Sequence, residues 1–145
     1  MAKFPSVQRR TRLPTVPPDA EPALRTIAMP ADANPNGDIF GGWLLSQMDL
    51  AGSVVAYERA QGRIATVAID AMSFVQPVFI GDLVTSYAEV VRVGRTSIQV
   101  RVDTFVKRRE SRETALVTEG LLTYVAIDRG GRPRPVPEPG APIKT

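Results

Sequence analysis

Gly41, Gly42 and Asp49 are the residues whose types and positions best suit catalytic chemistry. The two glycines lie where a loop rich in Asp, Asn and Pro gives way to a long apolar segment, so they would stand at the start of a helix. Free N–H groups at a helix start carry partial positive charge and can hold an oxygen that becomes negative during a reaction. Glycines are also common in ordinary helix caps, so this pair alone is weak evidence for a site.

Asp49 is a carboxylate inside the apolar part of the predicted helix, between Met48 and Leu50. A buried carboxylate is costly unless it is paired or hydrogen-bonded. It would therefore either take part in chemistry or be satisfied locally, for example by Ser46 or Ser53 on the same helix. The residue types alone leave these two interpretations about even.

The absence of two residue types excludes several kinds of catalytic site. The sequence contains no histidine and no cysteine, which excludes His general bases, Ser-His and Cys-His nucleophiles and ordinary zinc sites. A Gly-x-Ser-x-Gly nucleophile elbow is also absent. Acid–base chemistry must therefore come from carboxylates, Lys, Tyr or main-chain donors, and we expect neither a metal nor a separate cofactor.

Helix geometry adds a constraint on how these residues could cooperate. Gly42 and Asp49 are seven residues apart, which is roughly 10 Å along a helix axis. One reacting carbonyl cannot contact both, so a site that uses both needs two helices, one from each subunit of a dimer. Asp38, on the loop that enters the helix, is a second carboxylate that could lie near the two glycines.

Hydrophobic periodicity predicts the elements that must position these residues. Apolar residues recur at spacings of three and four over residues 43–60, which predicts a helix that is apolar over most of its circumference and therefore buried. One short strand precedes it and four long strands follow, at residues 24–29, 64–74, 83–93, 96–107 and 114–127. This order predicts an α+β fold in which a curved antiparallel sheet of about five strands wraps the helix. An exposed edge strand favours pairing with a second subunit, and Gly94-Arg95 is predicted to form a two-residue type II′ hairpin.

Both ends of the chain are rich in proline and basic residues. Residues 1–21 and 129–145 are therefore predicted to be disordered tails around a single domain of residues 22–128. Residues 1–20 and 129–145 each carry a net charge of +3, which leaves −3 on the rest of a chain whose total is +3. This distribution favours solvated tails over binding of nucleic acid or membranes. No apolar run suits a membrane span and no secretory signal is recognisable, so we expect a cytoplasmic protein.

One long segment, residues 24–52, contains two distinctive blocks, Asn36-Gly-Asp-Ile-Phe-Gly-Gly42 and Ser46-Gln-Met-Asp49. Together with shorter segments at residues 62–69, 74–78, 81–82, 93–98, 106–107 and 124–128, it resembles the YciA-type acyl-CoA thioesterases. The resemblance implies a hotdog fold, in which a curved antiparallel sheet wraps a long central helix. It also implies a homodimer, commonly assembled as a trimer of dimers, and an acyl-CoA substrate hydrolysed to free CoA and a carboxylic acid.

The resemblance also implies roles for individual residues. Asp49 would be the catalytic carboxylate, and the Gly42 amide would polarise the thioester carbonyl. Asp38 falls where related enzymes place an active-site Asn or Asp, and Thr66 falls where they line the site from the facing strand. Further candidate substrate contacts on the loop and helix start are Asn36, Phe40 and Gly41.

The phosphates of CoA require cations, for which Arg95 and Lys107 are the leading candidates. Arg95 is the better of the two, because turn amides and two hydroxyls accompany it in the block Gly94, Arg95, Thr96 and Ser97. The two cations would lie at opposite ends of one strand, roughly 40 Å apart, so they could serve one CoA only from different subunits. Arg108 and Arg109 are further candidates, and a solvated charge is the alternative for each cation.

The same residues bear on two alternative functions, a hydratase and a non-catalytic acyl-CoA sensor. Hydratases and dehydratases that share the hotdog fold use a histidine, so the absence of histidine argues against these activities. A non-catalytic acyl-CoA sensor is the remaining alternative, which a measurement of CoA release would separate from an enzyme. Within the hydrolase hypothesis, Asp49 either activates water or attacks the thioester to form an anhydride, and the sequence permits both.

Overall fold

A long helix packs against one face of a five-stranded antiparallel sheet in the computed structural model, which describes residues 13–140. The helix, α1, spans Gly41–Ala60. The strands are β1 Leu24–Ile27, β2 Ile64–Phe74, β3 Leu83–Val93, β4 Ser97–Lys107 and β5 Thr114–Ala126. Their spatial order is β1-β3-β4-β5-β2, which leaves β1 and β2 at the edges. The predicted α+β fold is confirmed, and every predicted element ends within two residues of its observed bounds.

Helix α1 buries one face against the sheet and exposes the other. The buried residues are Leu44, Met48, Ala51, Gly52, Ala56 and Ala60. On the opposite face, the side chains of Leu50, Val54 and Tyr57 are 54%, 49% and 57% exposed. The prediction of a helix buried over most of its circumference is therefore wrong for a single chain, because one sheet covers only one side of a helix. Within residues 13–140, no helix has the length and apolar character needed to cross a bilayer.

The edge strand β2 pairs with β5 through an interrupted ladder. Its register shifts between Thr66 and Ala68 and again between Asp70 and Ser73, and Thr66 lies opposite Tyr124. Apolar side chains remain exposed along this edge at Val67, Ile69 and Phe74. We call five of the exposed apolar residues of α1 and β2 the apolar face; they are Leu50, Val54, Tyr57, Val67 and Ile69.

The connection between β3 and β4 differs from the predicted turn. It spans residues 94–96, and the Gly94 amide donates to the Ser97 carbonyl at 2.8 Å. Gly94 does not have the positive φ that a type II′ turn requires at its first central position. The type II′ prediction is therefore wrong, because pairing ends with Val93 opposite Ile98 and the loop is longer than two residues.

The described part of the C-terminal segment is held against the domain. The Arg134 guanidinium donates to the Ala60 carbonyl through Nη2 at 2.8 Å and to the Ile127 carbonyl through Nε at 3.1 Å. The Val136 amide donates to the Arg95 carbonyl at 2.8 Å. These contacts tie the end of α1 to the β3–β4 connection, and we call residues 132–137 the C-terminal strap.

The strap corrects the prediction that a disordered tail begins at residue 129. A helix ends with carbonyls that lack partners inside the helix, and Arg134 supplies donors for the last of them. Proline-rich composition does not reveal such a contact. At the other end of the chain, Pro14 and Val16 line a cavity of about 480 Å³ together with Tyr87 of the sheet. The remaining parts of the predicted tails, residues 1–12 and 141–145, lie outside the described residues.

Candidate active site

Asp49 lies half-buried on α1 and receives hydrogen bonds from two neighbouring strands. The Thr66 hydroxyl of β2 donates to Asp49 Oδ1 at 2.8 Å. The Tyr124 hydroxyl of β5 lies 3.1 Å from the same Oδ1 and 2.9 Å from the Asp49 carbonyl oxygen. The structure thus brings together two residues singled out from the sequence, Asp49 and Thr66, and adds Tyr124 as a third.

The serines on the same helix do not satisfy Asp49. Ser46 Oγ donates to the Trp43 carbonyl at 2.7 Å, and Ser53 Oγ donates to the Leu50 carbonyl at 2.6 Å. Both hydroxyls are therefore turned back onto the helix backbone, a common arrangement for serine inside a helix. The local alternative for Asp49, in which Ser46 or Ser53 holds the carboxylate, does not fit this geometry.

Tyr124 is the contact that the sequence reasoning missed. Its side chain is fully buried among the core residues that face α1. Burial, followed by the negative charge of Asp49 and the hydrogen bond to it, raises the pKa of Tyr124 far above its usual value. The hydroxyl therefore stays protonated and acts as a donor. A tyrosine in an apolar strand needs a partner for its hydroxyl when buried, which is the signal that could have pointed to it.

Gly52 makes room for that tyrosine. A Cβ at Gly52 would lie 2.3 Å from the Tyr124 hydroxyl oxygen and 3.1 Å from the ring carbon that bears it. Any side chain at this position would therefore displace Tyr124 from Asp49. Glycine inside a helix costs about 1 kcal/mol relative to alanine, so Gly52 lowers helix stability to permit the contact.

The start of α1 presents free amides beside open space. The Trp43 and Leu44 amides donate to the Phe40 carbonyl at 3.1 and 3.3 Å, whereas those of Gly41 and Gly42 donate to no carbonyl within residues 13–140. No heavy atom comes within 4 Å of the place where a Cβ on Gly42 would be. Such amides are positioned to donate hydrogen bonds to an anionic oxygen.

An open groove of about 330 Å³ runs beside this helix start, lined by Ile39, Gly41, Leu44, Phe74, Val75, Gln76, Pro77 and Val78. The ring of Phe74 lies 3.6 Å from the place of a Cβ on Gly41. Phe40 is 52% exposed at the same end of the helix. Its lining side chains, apart from Gln76, are apolar or absent, which suits an acyl or alkyl chain better than a phosphate, although nearly half of its exposed lining is polar.

Asn34 organises the loop that carries the candidate residues Asn36 and Asp38. Its side-chain Oδ1 accepts the Asn36 amide at 2.9 Å and the Asp38 amide at 3.1 Å. The Asn34 amide donates to the Asp38 carbonyl at 2.6 Å, and Ile39 anchors the loop in the core. Asp38 is half-buried and Asn36 is exposed. Asn34 was not singled out from the sequence, although an Asn that closes its own turn is a recognised loop signal.

The candidate cations occupy opposite ends of β4, as the sequence predicts. Arg95 is exposed on the β3–β4 connection and Lys107 is exposed at the other end of the strand. Arg108 is bound structurally, since its guanidinium pairs with Asp82 at 2.5 Å and lies 4.7 Å above the Phe79 ring centroid. Arg108 is therefore withdrawn as a phosphate ligand.

The block around Arg95 is only partly accessible. Gly94 and Thr96 are half-buried, and Ser97, which lies opposite Val125 of β5, is only 3% exposed. The prediction that the Ser97 hydroxyl contacts a phosphate does not fit this position. Within residues 13–140, no group of three or more carboxylate side chains is placed to hold a metal ion.

Comparison with known proteins gives consistent findings. The model of the thioesterase superfamily matches residues 36–112. The acyl-CoA thioester hydrolase YciA of Salmonella typhimurium is 49% identical over 126 residues, covering 85% of this chain and 95% of that protein. YciA of Escherichia coli K12 is 47% identical over 123 residues, covering 83% of this chain and 93% of that protein.

Three solved structures are similar to this chain in both sequence and fold. The hexameric thioesterase y2039 from Yersinia pestis is 50% identical with a TM-score of 0.79, over 83% of this chain and 98% of that one. The hexameric hotdog-fold thioesterase Cj0915 of Campylobacter jejuni is 45% identical with a TM-score of 0.76, over 81% of this chain and 91% of that one. HI0827, described as a hexameric broad specificity acyl-coenzyme A thioesterase, is 44% identical with a TM-score of 0.80, over 86% of each chain.

Proposed function

Since this chain belongs to the thioesterase superfamily and, within it, to the YciA-type acyl-CoA thioester hydrolases, we propose that it hydrolyses acyl-CoA through Asp49 and the Gly42 amide. The products are free CoA and a carboxylic acid. The observation that carries this proposal is the Asp49 carboxylate, held by Thr66 and Tyr124. The sequence has no histidine or cysteine that could supply another base or nucleophile.

The separate roles of Asp49 and the Gly42 amide follow from where charge develops during hydrolysis. As a general base, Asp49 takes a proton from water while the oxygen of that water attacks the thioester carbon. As a nucleophile, the carboxylate itself attacks and forms an anhydride that water then opens. In either route the carbonyl oxygen becomes negative, and the Gly42 amide is the donor that stabilises it. The thiolate of CoA leaves and is protonated.

A composite site between two subunits is part of the proposal. Gly42 and Asp49 lie on one continuous helix, about 10 Å apart along its axis, so the two groups that act on one thioester come from different chains. The apolar face and the edge strand β2 offer the surface through which two chains would pair. Hexameric relatives support a homodimer assembled as a trimer of dimers.

Binding of the rest of CoA is assigned to the ends of β4. Arg95, with the backbone of Gly94 and the hydroxyl of Thr96, would bind one phosphate group, and Lys107 of another subunit would bind a second. Substrate contacts near the helix start are assigned to Asn36, Phe40 and Gly41, of which Gly41 lines the open groove. Asp38 is assigned a positioning role beside the reacting carbonyl.

The test is release of free CoA thiol from a panel of acyl-CoAs of different chain length, by the wild type and by Asp49→Asn. Asn keeps the shape of the side chain but loses its charge and basicity, so kcat should fall by about 10²-fold or more. KM should change little and the oligomer should persist, because an amide is cheaper to bury than a charge. Asp38→Asn, as a comparison, should lose less.

Two outcomes would contradict the proposal. Binding of acyl-CoA by the wild type without thiol release would support the sensor alternative. An Asp49→Asn variant that retains more than about a tenth of wild-type turnover would show that Asp49 is structural, and Asp38 would become the leading candidate.

A further inference from the structure

The Tyr124 hydroxyl contacts two oxygens of the proposed catalytic residue, although the proposed hydrolysis assigns no role to this hydroxyl. It lies 2.9 Å from the Asp49 main-chain oxygen and 3.1 Å from the side-chain oxygen Oδ1. The ring is fully buried and rises from β5, a central part of the sheet. The phenol is therefore a rigid donor whose position is fixed by the core, unlike a donor on a mobile loop.

The two oxygens of the Asp49 carboxylate have different surroundings. Thr66 donates to Oδ1 at 2.8 Å from one side, and Tyr124 reaches the same oxygen from another. Among the described residues, no hydrogen bond is made to Oδ2. Rotating the carboxylate would break both bonds to Oδ1, so the pair of donors holds one oxygen and leaves the other free to meet water or substrate.

The close approach of Tyr124 depends on a gap in the helix one turn beyond Asp49. Gly52 provides that gap, since a Cβ there would come within 2.3 Å of the Tyr124 oxygen. The same Cβ would lie 3.1 and 3.2 Å from two ring carbons, distances that a small shift of the ring can relieve. The severe conflict is thus with the hydroxyl rather than with the ring.

We propose that Tyr124 is a positioning residue that fixes the orientation of the Asp49 carboxylate, with Gly52 as the gap that admits its hydroxyl. This inference rests on the proposed catalytic role of Asp49. Tyr124 does not touch the substrate; it acts through Asp49, by keeping Oδ2 directed at the reacting atoms. The sequence pattern Asp49-Leu-Ala-Gly52 is then one functional unit completed by a tyrosine from a distant strand.

The first test is the change Tyr124→Phe, which removes one hydroxyl and keeps the ring in the core. Loss of a hydrogen bond to a charged group should lower kcat about tenfold or more. KM should stay within about twofold, because the substrate is not contacted. The matched control is Tyr87→Phe, since the Tyr87 ring packs edge-on against Phe105 with centroids 6.0 Å apart. This control should keep wild-type kcat.

The second test is a double-mutant cycle with Gly52→Ala. Alone, Gly52→Ala should lower kcat as much as Tyr124→Phe, because the new Cβ forces the hydroxyl away from Asp49. In the Tyr124→Phe background it should lower kcat by less than about twofold more, because the hydroxyl is already gone. If the kcat losses of the two single variants simply multiply in the double variant, Gly52 and Tyr124 act independently and the proposed functional unit is wrong.

The outcomes distinguish this inference from the function on which it rests. An active Asp49→Asn variant would remove the catalytic role itself. An inactive Asp49→Asn variant beside a Tyr124→Phe variant with wild-type kcat would overturn the positioning role alone. A Tyr124→Phe variant that melts earlier but keeps kcat would show a purely structural tyrosine. Should Gly52→Ala fail to fold, the comparison of Tyr124→Phe with Tyr87→Phe decides by itself.

Discussion

At the scale of single residues, the hydrogen-bond partners of the Asp49 side chain in the described chain are hydroxyl groups. An arginine or lysine partner would hold a carboxylate in a salt bridge and neutralise its charge. Neutral donors orient the carboxylate while leaving its negative charge and one oxygen available. This arrangement suits a base or a nucleophile better than a structural carboxylate such as Asp82, which is paired with Arg108.

Two substitutions at Gly42 test whether its N–H group, rather than the absence of a side chain, is needed for catalysis. Gly42→Pro removes the donor at a position in the first helical turn where proline is tolerated, and should lower kcat by about 10²-fold. Gly42→Ala keeps the amide, and its Cβ would enter open space, so it should remain close to wild type. Steady-state thiol release and circular dichroism of both variants provide the measurement. Equal activity of the two would exclude the amide as the oxyanion donor.

Arg95 is predicted to act on binding. Arg95→Ala should raise KM for acyl-CoA more than it lowers kcat, because a phosphate contact lies far from the thioester. The difference from wild type should shrink at high salt, which screens an exposed charge. Arg129→Ala, another exposed arginine, is the control. An unchanged KM at low salt would remove Arg95 from the site.

Sequence reasoning found Asp49 and the two glycines because each has an unusual type for its local pattern. A carboxylate in an apolar helix and a Gly-Gly pair at its start stand out without any structure. Thr66 came from family resemblance, and Tyr124 was missed because its contact depends on β2–β5 pairing and on a gap at Gly52. Contacts across such a sequence distance leave no local periodicity.

At the scale of elements, the strands were predictable because alternation and turn residues are local signals. The C-terminal strap was not, because proline and arginine in sequence resemble a solvated tail. Its stability comes from donors that meet particular carbonyls, as with Arg134 and Ala60. The turn at residues 94–96 was misjudged for a similar reason, since its length is set by where β3 and β4 stop pairing.

The strap gives a prediction about stability. Arg134→Ala removes donors to the Ala60 and Ile127 carbonyls and should cost about 2 kcal/mol, which lowers Tm by roughly 5 °C. Arg132→Ala is the matched control two residues away on the exposed surface. Thermal unfolding followed by circular dichroism measures both. If the Tm of Arg134→Ala equals that of Arg132→Ala, the Arg134 contacts do not stabilise the fold and the strap is only loosely attached.

At the scale of the whole molecule, the proposed dimer explains features that one chain leaves incomplete. The apolar face has no cover within residues 13–140, and β2 has an unpaired edge. An exposed apolar surface beside a free strand edge is a common origin of subunit contacts. The sequence predicts the dimer from the exposed edge strand and from the spacing of Gly42 and Asp49 along one helix.

Subunit complementation tests the composite site. Asp49→Asn and Gly42→Pro are co-expressed, and the active fraction is measured against wild type. Random pairing makes half of the dimers mixed, and each mixed dimer would contain one intact site, so roughly a quarter of wild-type turnover should return. Co-expression of Asp49→Asn with Asp49→Ala is the control and should recover nothing. No recovery in the first mixture would place both groups of a site on one chain.

The spacing of Gly42 and Asp49 along α1 also links turnover to enzyme concentration. Each helix would carry halves of two different sites, so an isolated chain would hold no complete one. By mass action, dilution below the dissociation constant of the subunits should reduce specific activity. Acyl-CoA bridging two chains would oppose that loss, so saturating substrate should protect the diluted enzyme. Turnover would then serve as a direct assay of assembly.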